Sequence, residues 1–230
     1  MASVADNLRM IQARIQAAAR RAGRDPQSVR LVAVSKHQPL AVIQEAMAAG
    51  QTLFGENYLQ EAADKIAQVG AGPCWHCIGH LQSNKARLAA ELFHCVETVD
   101  RLKLAVAIDR RLVELGRQME VLVQVNVGGE AQKSGVAPED AAELCAGLRQ
   151  FPRLRLRGLM TMPPWNEEPE ASRPYFRRLR LLAEELVAQG ILGEHGPVEL
   201  SMGMSADFEV AIEEGATLVR VGTALFGARE

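Results

Sequence analysis

The chain is short of cysteine, of net charge and of long apolar runs, and each shortage removes a class of protein. No apolar stretch approaches the ~18 residues of a membrane-spanning helix, so no span is expected. Lysine and arginine (26) almost balance aspartate and glutamate (28), leaving a formal charge of -2 and a pI near 6.2. No global field is present to attract a nucleic acid or a membrane surface. Four cysteines in 230 residues do not form a disulfide framework, because a chain of this length folds without staples. The N-terminus shows no apolar signal segment, and a reducing, cytoplasmic setting is expected. Low-complexity tracts and internal repeats are also missing, which leaves one globular domain over 1–230 as the expectation.

Arginines at 9, 14, 20, 21 and 24 give the first 24 residues the look of a transit peptide. Leu8, Ile11, Ile15, Ala18 and Ala22, however, follow the three-four spacing of an amphipathic stripe, which predicts a structural helix ending near Gly23 and packing on the rest of the domain. Beyond it, β-rich runs at 31–35, 52–55, 74–79, 95–99, 120–127, 156–162, 198–202 and 217–222 alternate with helical stretches. The helices are predicted at 38–50, 57–69, 81–93, 100–117, 138–150, 170–190 and 205–215, several ending at glycine, as at Gly50, Gly116 and Gly190. Eight such units predict an α/β fold, a closed parallel (β/α)8 barrel of the TIM type. A doubly wound open sheet shares the pattern, and the count decides between them. Only residues 224–230 follow the eighth run, so the N-terminal helix is expected to cover the place of a final helix. Pro163 to Pro169, with Trp165, reads as an exposed loop.

In such barrels the site is built at the carboxyl ends of the strands, and the loops after strands seven and eight often hold phosphate. Ser201 and Met202 end run seven, and Gly222 and Thr223 end run eight. Glycine lets backbone amides approach an anion, and the hydroxyls can donate to it. Ser205 and Asp207 look like a helix N-cap beside them. Arg220 interrupts Leu218-Val219 and shares a face with Gly222; inside a barrel its charge needs a partner, whereas on the outer face Glu213 or Glu214 would serve. Lys36 leaves strand one, the neighbour of strand eight in a closed barrel, although lysines after strands usually face water. Desolvation and a nearby cation would favour the neutral amine needed for a Schiff base, so the implied ligand is an aldehyde carrying a phosphate.

Other patterns are weaker. Cys74 and Cys77 form a CxxC on a predicted strand, where residues three apart face opposite ways; with Cys95 and Cys145 they read as small buried side chains. His76 and His80 share parity but have no third metal ligand at a sensible spacing. Gly128 and Lys133-Ser134 resemble a phosphate loop, yet Gln132 stands where the motif needs glycine. Gln82, Asn84 and Lys85 are expected to begin a helix at the barrel mouth, and Asn57 lies at the same rim after strand two.

Taken together, VAVSK around Lys36, FGENYLQE at 54–61, WHCIGHLQSNK at 75–85, VLVQVNVGGEAQKSG at 121–135, GLMTMP at 158–163, SMGMSADFEVAI and VRVGTALFG run through nearly the whole chain. This set resembles the pyridoxal phosphate homeostasis proteins, whose barrel is similar to the N-terminal domain of alanine racemase. The resemblance implies a barrel of the pyridoxal phosphate fold type III without the racemase's C-terminal β domain. Lys36 would carry pyridoxal 5'-phosphate as an internal aldimine, Ser201, Gly222 and Thr223 would hold its phosphate, and Met202 and Asn57 would adjoin it. Arg220 would face the pyridine nitrogen and keep it unprotonated, which weakens the ring as an electron sink.

A racemase needs a second acid-base group opposite the lysine, and Tyr58 and Tyr175 are the only tyrosines here. The implied function is therefore vitamin B6 and amino-acid homeostasis, with the cofactor held and delivered to apo-enzymes by a monomer. The alternatives are a racemase-like enzyme of low or narrow activity and, more distantly, a Schiff-base aldolase.

Overall fold

The computed structural model describes residues 3–130 and 132–227. Strands β1 (Arg30–Val34), β2 (Leu53–Glu56), β3 (Cys74–Cys77), β4 (Cys95–Val99), β5 (Met119–Gln124), β6 (Leu154–Met160), β7 (Glu199–Ser201) and β8 (Leu218–Val221) form one closed barrel in chain order. All neighbours are parallel, and β8 closes onto β1 from Leu218 beside Arg30 to Val221 beside Ala33. The open doubly wound alternative is thereby excluded. Around the barrel run α2 (Leu40–Ala48), α3 (Leu59–Val69), α4 (Ala86–Leu92), α5 (Leu102–Leu115), α6 (Ala141–Leu148), α7 (Arg173–Ala188), α8 (Phe208–Glu213) and the short α9 (Thr223–Phe226).

Alternation along each strand divides the apolar residues into two layers. Val32, Leu53, Cys95, Leu122, Met160 and Leu218 form one cluster in the barrel interior, with Cys74 against them. The opposite parity, including Ala33, Phe54, Trp75, Cys77, Val96 and Val219, packs under the helices. Cys74 and Cys77 thus lie on opposite faces of their strand, and Cys77, Cys95 and Cys145 are buried. Each fully buried leucine or isoleucine in these layers contributes roughly 1.5–3 kcal/mol, so the barrel is a packed core and the site must lie at one end of it.

Helix α1 (Val4–Arg21) opens with a capping box, in which Ser3 Oγ accepts from the Asp6 amide at 3.1 Å. Its buried stripe is Val4, Leu8, Ile11, Ile15, Ala18 and Ala19, and it packs on α8 and α9. Arg14 pairs with Glu209 and Arg21 with Glu213, while the Arg24 guanidinium donates to Ile212 O (2.7 Å) and Ala216 O (2.9 Å). That last contact satisfies carbonyls at the end of α8. The helix thus lies against both α8 and the four-residue α9.

The differences from the expected boundaries cluster at the barrel mouth. Strand β3 stops at Cys77, before the predicted 79, and at Gly79 the chain passes so close to Asn57 that an added Cβ would lie 2.4 Å from Asn57 O. Strand β5 ends at Gln124, before the predicted 127, because Val125 to Val136 fold back on themselves through Asn126 N to Val136 O and Val136 N to Gln124 O (both 2.9 Å). Ala131 of that loop lies outside the described residues. Helix α8 begins at Phe208 and not at 205, since Asp207 Oδ1 accepts from the Met204 amide at 2.7 Å and makes a turn of residues 204–207. The predicted starts at 138 and 170 fall in short 3-10 turns preceding the α-helices, and in place of the start predicted at 81 a 3-10 turn begins at Ser83. Of the residues after β8, 228–230 lie outside those described.

Candidate functional site

At the carboxyl ends of the strands a cavity of about 270 Å³ is lined by Lys36, Asn57, Arg220, Gly222 and Thr223, with Ser205 and Ala206 beside them and Met162 and Trp165 at its edge. A larger cavity of about 500 Å³ lies at the opposite end, among Arg30, Gln51, Thr52 and Cys74 at the starts of β1, β2 and β3. The smaller one is the candidate site, because it gathers the Lys36 amine, the Arg220 guanidinium and the hydroxyls of Ser205 and Thr223 at the strand ends where barrels place chemistry.

Lys36 sits in the turn that ends β1. The Gln38 amide donates to Ser35 O at 3.0 Å, and His37 takes a left-handed φ of 59°. A non-glycine residue in that region is uncommon and is held there by its surroundings. The His37 amide donates to Glu61 Oε1 at 2.5 Å, and Lys65 Nζ reaches Ser35 O at 2.6 Å. Asn57 follows β2, and its Oδ1 is buried without a hydrogen-bond partner.

Arg220 enters from β8 and is buried, with Nη1 donating to Ser201 Oγ (2.6 Å) and Nη2 to Thr161 O (2.7 Å). Ser201 Oγ in turn donates to Glu97 Oε2 (2.5 Å), and Glu97 Oε1 meets His76 Nδ1 at 2.7 Å. A polar line, His76–Glu97–Ser201–Arg220, therefore crosses the upper barrel interior from β3 to β8. Burial alone would lower the His76 pKa, but hydrogen bonds with Cys74 and Glu97 and the Glu97 charge overcome it and raise it to about 9. Burial pushes the Glu97 carboxyl up, yet the His76 bond and charge, the Arg220 charge and the Ser201 hydroxyl leave it below its ordinary value. The outer-face alternative for Arg220 does not hold, since Glu213 and Glu214 pair instead with Arg173, Arg21 and Arg180.

Of the residues the sequence singled out, Lys36, Asn57, Arg220, Gly222 and Thr223 converge on the cavity, whereas Ser201 and Met202 do not line it. Parity explains both. Ser201 turns inward, where its hydroxyl is committed to Glu97 and Arg220, and Met202 turns outward into the core beneath the helices. Ser205, expected only as a cap, lines the cavity and accepts from the Ala224 amide at 3.4 Å.

Sequence reasoning passed over Glu97 and Lys65. The signal for Glu97 was available, because it interrupts the apolar run Cys95-Val96 in the way Arg220 interrupts its own. Lys65 gave no signal, since a lysine on a helix ordinarily marks the solvent face.

The remaining candidates lie elsewhere. His80 is exposed with Nδ1 3.7 Å from Asp100, and Gln82, Asn84 and Lys85 are exposed around a 3-10 turn. Lys133 donates to Pro163 O at 2.9 Å, bracing its loop against the segment that carries Trp165. Tyr58 is half exposed against the His37 ring, and Tyr175 packs on the core. Among the described residues, those lining the cavity include no tyrosine, histidine or carboxylate. No group of three or more His, Cys, Asp and Glu among them is placed to hold a metal.

Comparison with known proteins places this geometry in context. Residues 7–230 match the family described as alanine racemase, N-terminal domain. The chain is 50% identical over 231 residues to a pyridoxal phosphate homeostasis protein of Pseudomonas aeruginosa, covering 100% of this chain and 97% of that one. It is 45% identical over 237 residues to the protein of that name in Escherichia coli strain K12, covering 100% and 98%. Among solved structures, PipY of Synechococcus elongatus with PLP bound is similar at a TM-score of 0.84 and 39% identity, over 98% of this chain and 100% of that one.

Proposed function

Since the chain belongs to the pyridoxal phosphate homeostasis proteins, within the wider family of the alanine racemase N-terminal domain, we propose that it binds pyridoxal 5'-phosphate in the mouth cavity and serves vitamin B6 and amino-acid homeostasis by holding and delivering it. The observation that carries this reading is the convergence of Lys36, Asn57, Arg220 and Thr223 on one cavity whose lining, among the described residues, has no acid-base group besides the lysine. When bound, the cofactor supplies an aldehyde carbon and an electron-accepting ring.

The residues fit that group. Lys36 would be the amine that holds the group through its aldehyde. Thr223, Ser205 and the backbone at Gly222 suit the phosphate end, because hydroxyls and an unobstructed amide can donate to its oxygens. Asn57 Oδ1, buried and without a partner, is an acceptor waiting for a donor, which is the kind of defect a bound ligand repairs. Arg220 is a permanent cation pinned by Ser201 and the Thr161 carbonyl. Placed at the ring nitrogen, it would keep that nitrogen free of a proton and would make the ring a weak electron sink. Retention is favoured over carbanion chemistry.

Ser201, expected at the phosphate, acts in this reading one step away, by fixing Arg220. Delivery to apo-enzymes, by a monomer in the cytoplasm, completes the proposal and suits a chain whose cysteines carry free thiols. A racemase would need a proton donor on the face opposite Lys36, and among the described residues lining the cavity there is no tyrosine, histidine or carboxylate to serve as one.

The test is a visible-absorption titration of the purified protein with pyridoxal phosphate, followed by incubation with L- and D-amino acids. A saturable yellow band without change in amino-acid chirality is expected. Failure to develop a band would remove the cofactor assignment, and steady racemisation would replace a carrier by an enzyme.

A further inference from the structure

Between β2 and α3, outside the barrel and beneath the turn that bears Lys36, lies a second buried polar cluster. Lys65 is 7% exposed, and its Nζ donates to three acceptors: Ser35 O (2.6 Å), Glu56 Oε1 (2.8 Å) and Glu61 Oε1 (2.5 Å). An ammonium group has three donors, and all are used. Both acceptor oxygens are shared with the turn, since Glu56 Oε1 also accepts from Ser35 Oγ (2.7 Å) and Glu61 Oε1 also accepts from the His37 amide (2.5 Å). The cluster thus grips the chain immediately before Lys36, at Ser35, and immediately after it, at His37.

We propose that Lys65 is a positioning residue for Lys36, clamping both flanks of its turn through Ser35, Glu56 and Glu61 so that the Lys36 amine is presented to the cavity. The proposal rests on Lys36 being the cofactor-holding amine. Two features distinguish it from ordinary packing. A buried ion pair is a poor stabiliser compared with apolar residues of the same size, so its presence needs another reason. Here the pair is also imperfect as a pair, because Glu56 Oε2 is buried with no partner. The left-handed conformation of His37 supplies the reason: it turns the chain sharply after Lys36, is unfavourable for a side-chain-bearing residue, and persists where its amide is bound by Glu61. Loss of the clamp frees the turn to relax toward ordinary backbone geometry and moves the Lys36 amine out of line.

Two variants test this. Glu61→Ala removes the grip on His37 at a partly exposed side chain in the first turn of α3, where folding tolerates the loss. Lys65→Met combined with Glu56→Gln removes both buried charges together, so neither is left unpaired. The readouts are the rate of appearance of the visible band on mixing with pyridoxal phosphate, the site of borohydride-trapped label, and the melting temperature without cofactor. The expected result is a band that forms at least about tenfold more slowly in both variants, as misplacement of a reacting group predicts, with the melting temperature of Glu61→Ala within a few degrees of wild type. Glu61→Gln, which keeps an acceptor for His37, should recover most of the rate.

Wild-type rates and labelling of Lys36 in folded Glu61→Ala would overturn the positioning role. A wild-type protein that forms no band fails earlier and for a different reason, because it removes the cofactor reading itself.

Discussion

Replacing His76 with glutamine should flatten the alkaline side of the stability profile. In the folded protein the imidazolium is buried against Glu97, and its pKa is raised from 6.5 to about 9. A base whose folded pKa is raised contributes stability that is fully present below its unfolded value and is lost as pH rises through the folded one. The window is therefore pH 6.5 to 9. Two and a half pH units at ~1.4 kcal/mol each make the contribution roughly 3 kcal/mol.

Glutamine keeps a donor for Glu97 but cannot titrate, so His76→Gln should start lower near pH 6 and stay nearly level across the window. Urea unfolding at pH 6, 7.5 and 9.5, with the cofactor stripped, measures both profiles, and the difference between them reports the titration of the coupled His76–Glu97 pair. Parallel profiles, or a wild type that gains stability relative to the variant above pH 7, would refute a charged His76 at the heart of the line. Toward acid the sign reverses for Glu97. Its folded pKa is lowered, so its contribution is present above 4.5 and lost as pH falls below that.

The Arg24→Ala variant should lose about 2 kcal/mol in urea unfolding, since a charged donor to the Ile212 and Ala216 carbonyls disappears from a half-buried site; an unchanged midpoint would mean that α1 docks without it. Gly79→Ala places a Cβ 2.4 Å from Asn57 O, so backbone must shift. A melting temperature lower by several degrees, together with weaker cofactor uptake, is expected, and retention of both would show that the mouth has slack there. Arg220→Gln should alter the cofactor's absorption spectrum more than its retention, because Lys36 and the phosphate contacts remain; a colourless protein unable to take up cofactor would contradict the role given to Arg220.

The barrel was legible because its strands are short apolar runs punctuated by glycine and proline, and because Leu8, Ile11 and Ile15 mark the first helix unmistakably by spacing. Lys36, Arg220, Gly222 and Thr223 were legible for a related reason, since a strand end and a charge within an apolar run are local signals. Ser201 does not line the cavity, for a reason of geometry. It stands at a strand end, as a phosphate ligand would, but its inward parity aims the hydroxyl at Glu97, 104 positions away in sequence. Local pattern carries no information on such a partner. Lys65 was invisible for the same reason. The mouth boundaries at Cys77, Gln124 and Phe208 shifted because loop contacts made across the rim, and not propensity, decide where those elements stop.

The most direct test of the central claim is to incubate the protein with one equivalent of pyridoxal phosphate, reduce with borohydride, digest, and map the label by mass spectrometry. A single pyridoxyl adduct on the peptide containing Lys36 is the predicted result. Label scattered over exposed lysines such as Lys85 and Lys103, with Lys36 unmodified, would contradict it.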